Sequence, residues 1–386
     1  MKLIESTKRL LWNHGLITML LFFNVLPLIT VYTTSPIILD YHGDVTKAVI
    51  YQSLALIAIY IGYRYNNVKK RNTCRLFVNV NWSYFIFYSS VSLFGVYIAY
   101  LNISMFTSIS ELQGMVMGGE DISQIRSEAG SGGLSGIFKM FGTAPLFSFL
   151  CTSSLLMFYD CNKKSKQILV YTLMLSLVCT LAKVMLVFDR LSILAIIVVF
   201  VYNFFYNKSF PTVFKVAFIA LLLLLVSFLT LLRMSDVSMG EFLGTYFNLG
   251  VYNLEISIEK QQHFNYFFTE TFLQPLSFVF KYFNIPFHSY TAEDWVWNPA
   301  QSFWGFYFVD TNWIGLILLP LLGVAIRKFE IGKFNKKFWA LMYFVFAYTT
   351  FSMTTIPVFR APEFLLMLVL AYIGAKCLVR CYKVVN

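Results

Sequence analysis

Charge is what this sequence has least of. Asp, Glu, Lys and Arg make up 13% of its 386 residues, about half the share typical of soluble domains. With 58% of residues hydrophobic, that scarcity excludes an ordinary water-soluble domain. Six cysteines are present, but none forms a CxxC pair, so neither a disulfide framework nor a zinc site is indicated. HExxH, GxSxG and P-loop patterns are absent, and no DxD pair lies on the outward side defined below. The sequence therefore gives no positive sign of a metal site or cofactor. No internal repeat is evident, which argues against an inverted-repeat transporter.

What fills the chain is a series of apolar runs near the ~20 residues an α-helix needs to cross hydrocarbon. Ten spans are expected, at about 11–33, 47–63, 83–103, 137–158, 168–188, 191–206, 212–232, 313–326, 338–356 and 363–379. The first run is longer than a typical signal-peptide core and lacks a small-residue cleavage site, so it reads as a span. The expected class is an all-α, polytopic membrane bundle occupying residues 1–386 as one domain.

The net charge of +11 does not mark a nucleic-acid binder. An even number of spans puts both termini on one side, and on that side lie 21 of the 30 basic residues. They include Lys2, Lys8, Arg9, Arg64, Lys69, Lys70, Arg71, Lys163, Arg327, Lys333 and Arg380, accompanied by only Glu5, Asp160 and Glu330. The positive-inside rule makes this side, with both termini, cytoplasmic.

Two outward segments exceed the usual short connection. The smaller, 104–136, contains the charged and glycine-rich stretch "DISQIRSEAGSGGLSG". The larger, 233–312, mixes Phe, Tyr and Leu with isolated charges such as Glu255, Glu259, Lys260 and His263. That mixture predicts amphipathic helices lying along the membrane surface and packing on the bundle. A re-entrant segment around 271–287, broken at Pro275 and Pro286, is the alternative.

Four arginines stand at outward span ends in four different segments: Arg126, Arg190, Arg233 and Arg360. A guanidinium is a planar fork of donors suited to phosphate, so their convergence would make a pyrophosphate site. Span ends also carry arginine as headgroup anchors. Candidate proton acceptors on this side are Glu128, Asp189, Asp236, Glu241, Glu255, His263, His288, Asp294, Asp310 and Glu363. In "FDRLS", Asp189 and Arg190 turn the chain between two runs, with Lys183 deeper in the preceding span.

The layout, together with "IRSEAGSGGLSGIFKMFG", "FDRLSILAIIVVF", Arg233 spaced by ten residues from Gly244, and "NPAQSFWGFYFVDTNWIGLILLPLLG", resembles the bacterial O-antigen polymerases, the Wzy-type oligosaccharide repeat-unit polymerases. Arg126 departs from the arginine–ten residues–glycine motif, because its eleventh following residue is Ile137. The resemblance implies a GT-C-like bundle in the bacterial inner membrane. It implies transfer of a growing glycan from undecaprenyl pyrophosphate to a lipid-linked repeat unit. Arg126, Arg190, Arg233 and Arg360 would contact pyrophosphate or sugar, and Glu128 or Asp189 would be the catalytic carboxylate. Expected partners are the undecaprenyl-pyrophosphate-linked oligosaccharide, membrane lipid and a chain-length regulator protein. An O-antigen ligase, with His263 or His288 important in the large loop, and a lipid-linked oligosaccharide flippase remain alternatives.

Overall fold

The computed structural model describes residues 2–32, 44–65, 76–105, 107–108, 111, 138, 140–187, 189–206, 216, 220–221, 224, 239–259, 269–284, 302–334, 336–353 and 358–383. Most of these are helical. The first half holds α1 (Lys2–Thr30), α2 (Thr46–Tyr65), α3 (Trp82–Ser104), α4 (Ala144–Phe158), α5 (Lys163–Val187) and α6 (Arg190–Tyr206). The second half holds α7 (Met239–Glu259), α8 (Ser277–Tyr282), α9 (Phe303–Thr311), α10 (Leu319–Gly332), α11 (Lys337–Leu341), α12 (Tyr343–Ser352) and α13 (Pro362–Ile373). Among the described residues, five helices are long and apolar enough to cross a membrane, starting at Asn13, Thr46, Trp82, Met140 and Lys163. The chain is thus a membrane-embedded helical protein. The expected span 212–232 lies almost wholly outside the described residues.

One expected span has a different form. In place of a straight 313–326 crossing, α9 runs through a 3-10 turn (Asn312–Ile317) into α10, and the two arms meet at 89°. The cause is local. Asn312 takes φ 51°, which ends α9, and Pro320 in the first turn of α10 has no N–H to continue the preceding ladder. Within the large loop, every residue of α9 is buried.

A three-stranded sheet, absent from the all-α expectation, closes one end of the bundle. Its strands are β1 (Leu76–Val80), β2 (Asp160–Cys161) and β3 (Val379–Lys383), in the order β2-β1-β3. β2 is parallel to β1 through Phe77↔Asp160, and β3 is antiparallel through Val78↔Cys381. Three connections that the charge pattern assigned to one side are therefore held together. Ser165 anchors the sheet to α5: its hydroxyl accepts from Val80 N (3.1 Å) and donates to Asn79 Oδ1 (3.0 Å). Lys337 Nζ donates to Val379 O at 2.7 Å.

α10 packs on α2 through glycine on both sides. A Cβ at Gly62 would stand 1.9 Å from Pro320 O, and one at Gly323 would stand 2.0 Å from Ile59 O. Only hydrogen at these positions lets the backbones approach this closely. We expect Gly323→Val to force the helices apart, at a cost of about 1–3 kcal/mol or more. A thermal melt of the detergent-solubilised protein checks this, with Ala325→Val, on the exposed face of the same helix, leaving the midpoint unchanged.

Candidate functional site

At the end of the bundle away from the sheet, polar groups join the large loop to the first helices. Asn24 of α1 donates to Leu20 O (2.8 Å) and accepts from Trp304 Nε1 (2.7 Å). Its carbonyl accepts from Gln52 Nε2 at 2.9 Å. In an apolar interior each of these groups would be costly unpaired, so α1, α2 and α9 are fixed in register. α7 docks beside them. Asn248 accepts from Thr30 Oγ1 (2.7 Å), and Ser302, the N-cap of α9, donates to Gly250 O (3.2 Å).

Glu255 of α7 completes the N-terminus of α2. The first turn of a helix has N–H groups with no intrahelical acceptor. Asp44 takes Thr46 N (3.0 Å), and Glu255, 207 residues distant in sequence, takes Ala48 N (2.6 Å). Burial raises the Glu255 pKa above the ordinary 4.5, the Ala48 N–H opposing the rise.

The expected site residues fall into three groups. Arg126, Glu128 and Arg233, with Asp236, His263, His288 and Asp294, lie outside the described residues. Arg190 opens α6, though its side chain is outside the described part, as is that of Glu241 in α7. Arg360, Asp189, Asp310 and Glu363 are described.

Arg360 belongs to a cluster at this end that combines charge with aromatic surface. Its guanidinium carbon lies 3.2 Å from the centroid of the Phe306 ring, within cation–π range. The neighbouring Phe359 contacts Phe303 edge-on (5.5 Å) and stacks with Phe272 (6.2 Å). One helical turn beyond Phe306 stands Asp310, 2% exposed. A carboxylate near a helix C-terminus opposes the helix dipole, and Asp310 is held there by accepting Thr271 N at 2.7 Å. Glu363 sits in the first turn of α13, where the dipole favours it.

Asp189 is engaged differently from a turn residue paired only with its neighbour. It caps α6 by accepting from Leu191 N (3.1 Å) and Ser192 N (3.3 Å), and it accepts from Ser192 Oγ at 2.6 Å. Lys183 of α5 forms an ion pair with the same carboxylate. Among the described residues, no group of three His, Cys, Asp or Glu side chains is arranged to hold a metal ion.

No protein-family model, curated protein or solved structure matches the chain. The site must therefore be read from its own chemistry. Arg360 on Phe306 presents a cation fixed against an aromatic wall, with the Asp310 carboxylate one turn away. A guanidinium held in this way suits an anionic group.

One charged pair escaped the sequence reading altogether. Glu330 and Lys333 read as charges of a basic loop, yet both side chains are fully buried and 2.8 Å apart. Lys333 Nζ lies 5.0, 5.1 and 4.2 Å from the ring centroids of Phe158, Phe334 and Tyr343. The i,i+3 spacing of opposite charges was the one signal available.

Two outcomes are expected. Lys333→Met leaves Glu330 buried without its cation and should cost about 3–5 kcal/mol, largely restored in the Glu330→Gln/Lys333→Met double variant; detergent melting curves of the three proteins check the coupling. For Glu255, a folded pKa above the unfolded one means that its contribution is complete below about pH 4.5 and is lost as pH rises through the folded value. Glu255→Gln keeps an acceptor for Ala48 N and should flatten the fall in melting temperature between pH 4.5 and neutrality.

Proposed function

We propose that this protein is an inner-membrane repeat-unit polymerase with about ten transmembrane helices and a GT-C-like bundle, both termini and the small sheet facing the cytoplasm. It transfers a glycan from undecaprenyl pyrophosphate to the sugar of a lipid-linked repeat unit on the opposite, periplasmic side. The observation that carries this reading is Arg360, seated on Phe306 beside buried Asp310 at the end of the bundle away from the basic sheet.

In the proposed step a hydroxyl oxygen of the acceptor sugar attacks the anomeric carbon of the donor glycan. The bond from that carbon to the pyrophosphate oxygen breaks, undecaprenyl pyrophosphate leaves, and the hydroxyl proton passes to a carboxylate. Charge grows on the leaving pyrophosphate, so guanidinium groups already in place stabilise the transition state. Arg360 serves this role, with Arg126, Arg190 and Arg233 from the other outward segments. Of the two carboxylates in question, Asp189 already accepts from Lys183, Ser192 and two backbone N–H groups. Glu128 is accordingly our first assignment for the base. The lipid tails lie against the apolar outer faces of the helices, and a chain-length regulator would act on the same assembly.

The test is a strain deleted for this gene and complemented with variants. The deletion is expected to carry lipopolysaccharide with a single repeat unit. Core without any repeat unit would instead point to a ligase or flippase. Arg360→Ala and Arg233→Ala, present at normal protein level, should each give the single-unit phenotype, since losing one transition-state donor costs about 10²–10³-fold in rate. Full-length ladders from Arg360→Ala would overturn its assignment.

A further inference from the structure

The sheet end of the bundle carries a second cationic site, independent of the reaction proposed above. It forms where α1 breaks. His14 departs from helical backbone (φ −141°, ψ 30°), and the displaced segment exposes its polar atoms to α2 and α10. Arg327 of α10 enters the gap. Its Nη1 donates to Tyr63 Oη (3.1 Å), His14 Nδ1 (3.3 Å) and Asn13 O (3.5 Å). Tyr63 Oη lies 2.7 Å from the same His14 nitrogen, and the guanidinium carbon is 5.1 Å from the Tyr63 ring centroid.

This network determines which donors are used and which are spare. His14 Nδ1 is shared between Arg327 Nη1 and Tyr63 Oη. Every hydrogen bond Arg327 makes among the described residues leaves through Nη1, although a guanidinium has five N–H groups. The Nε and Nη2 donors of Arg327 therefore remain for an outside acceptor. Arg64, next to Tyr63 and exposed, adds a second guanidinium. The nearby carboxylate, Glu330, is neutralised by Lys333. The notch is thus net positive, rich in donors and half-open.

Its depth identifies the ligand. His14 is the second residue of the membrane-length segment Asn13–Thr30, and Tyr63 and Arg64 are among the last residues of Thr46–Tyr65. Two spans thus place the notch at the same boundary, where hydrocarbon gives way to headgroups. One turn deeper on α2, Tyr60 and Ile61 are 44% and 57% exposed, and Ile57 is 55% exposed. An anion bound here would have its apolar remainder against that strip. Basic pockets between helices at this level are suited to anionic headgroups.

We propose that the Arg327–His14–Arg64 notch binds the phosphate of an anionic phospholipid, whose acyl chains run along Ile57 and Ile61 of α2. Bound there, the lipid bridges α1, α2 and α10 across the break in α1.

Titration of the full-length protein in neutral detergent, followed by native mass spectrometry, tests this with phosphatidylglycerol and phosphatidylcholine of identical acyl chains. Phosphatidylglycerol should bind tighter, and Arg64→Gln should weaken it about fivefold, the effect of one arginine at a membrane surface, with phosphatidylcholine unchanged. Arg327→Gln should weaken it at least as much. If that variant fails to fold, Arg64→Gln carries the test, because the side chain is exposed. Lys164→Gln, exposed beside β2, serves as the control for general surface charge and should have no effect. Equal binding of the two lipids, an unchanged affinity in Arg64→Gln, or an equal loss in Lys164→Gln overturns the proposal. Displacement of phosphatidylglycerol by excess inorganic phosphate would assign the notch to a soluble anion and overturn the lipid as its occupant.

Discussion

A single carboxylate makes the helix break in α1 tenable. When a helix changes direction inside an apolar bundle, the first N–H after the break has lost its acceptor and has no water to replace it. Glu330 of α10 accepts Leu16 N, so a side chain from another helix restarts α1. That carboxylate must remain charged or strongly polar where charge is expensive, and Lys333 inside its aromatic box balances it. Tyr159 Oη in turn holds the Lys333 carbonyl at 2.9 Å. The helices of both halves of the chain converge on this one polar knot.

Close approach around the knot depends on what is missing from its neighbours. A Cβ at Gly15 would fall 1.6 Å from Tyr202 Oη and 2.5 Å from Tyr343 Oη. Those two hydroxyls are themselves hydrogen-bonded at 2.8 Å, so α6, α12 and the start of the second segment of α1 meet at a point with no spare volume. The opposite end of the bundle is organised by another means, through Asn24, Gln52, Trp304 and Glu255, each serving a neighbour's backbone or ring. One end is built around a buried charge pair, and the other is joined by hydrogen bonds from Asn24, Gln52, Trp304 and Glu255. The charged end is also the one the basic residues crowd.

Much of the architecture was legible because hydrophobic length is a one-dimensional property. Runs such as 83–103 and 168–188 needed no partner to be recognised, and α3 and α5 occupy them. What stayed hidden depends on partners far away in sequence. β1 reads as part of a basic loop, since Leu76–Val80 gains its strand character only by pairing with Val379–Lys383. The bend after α9 was masked by the apolar side chains on both arms, though Asn312 and Pro320 lay in plain view. At the outer rim, Arg360 could be named as a cation but not as one resting on Phe306. Asp189 could be placed in a turn, but its Lys183 and Ser192 partners required the helix ends themselves. Glu330 and Lys333 were misread for the same reason: a charge pair buried between helices looks, in sequence, like a solvated loop.

The small sheet bears on how the protein is made. β1 is its central strand, flanked by the two residues of β2 and the five of β3. β3 follows β1 by about 300 residues, so during synthesis the edge of Leu76–Val80 that pairs with β3 waits while most of the chain is made. An unpaired strand edge is a template for unwanted association. Closure of the sheet then marks the moment at which the early and late halves of the chain become one object.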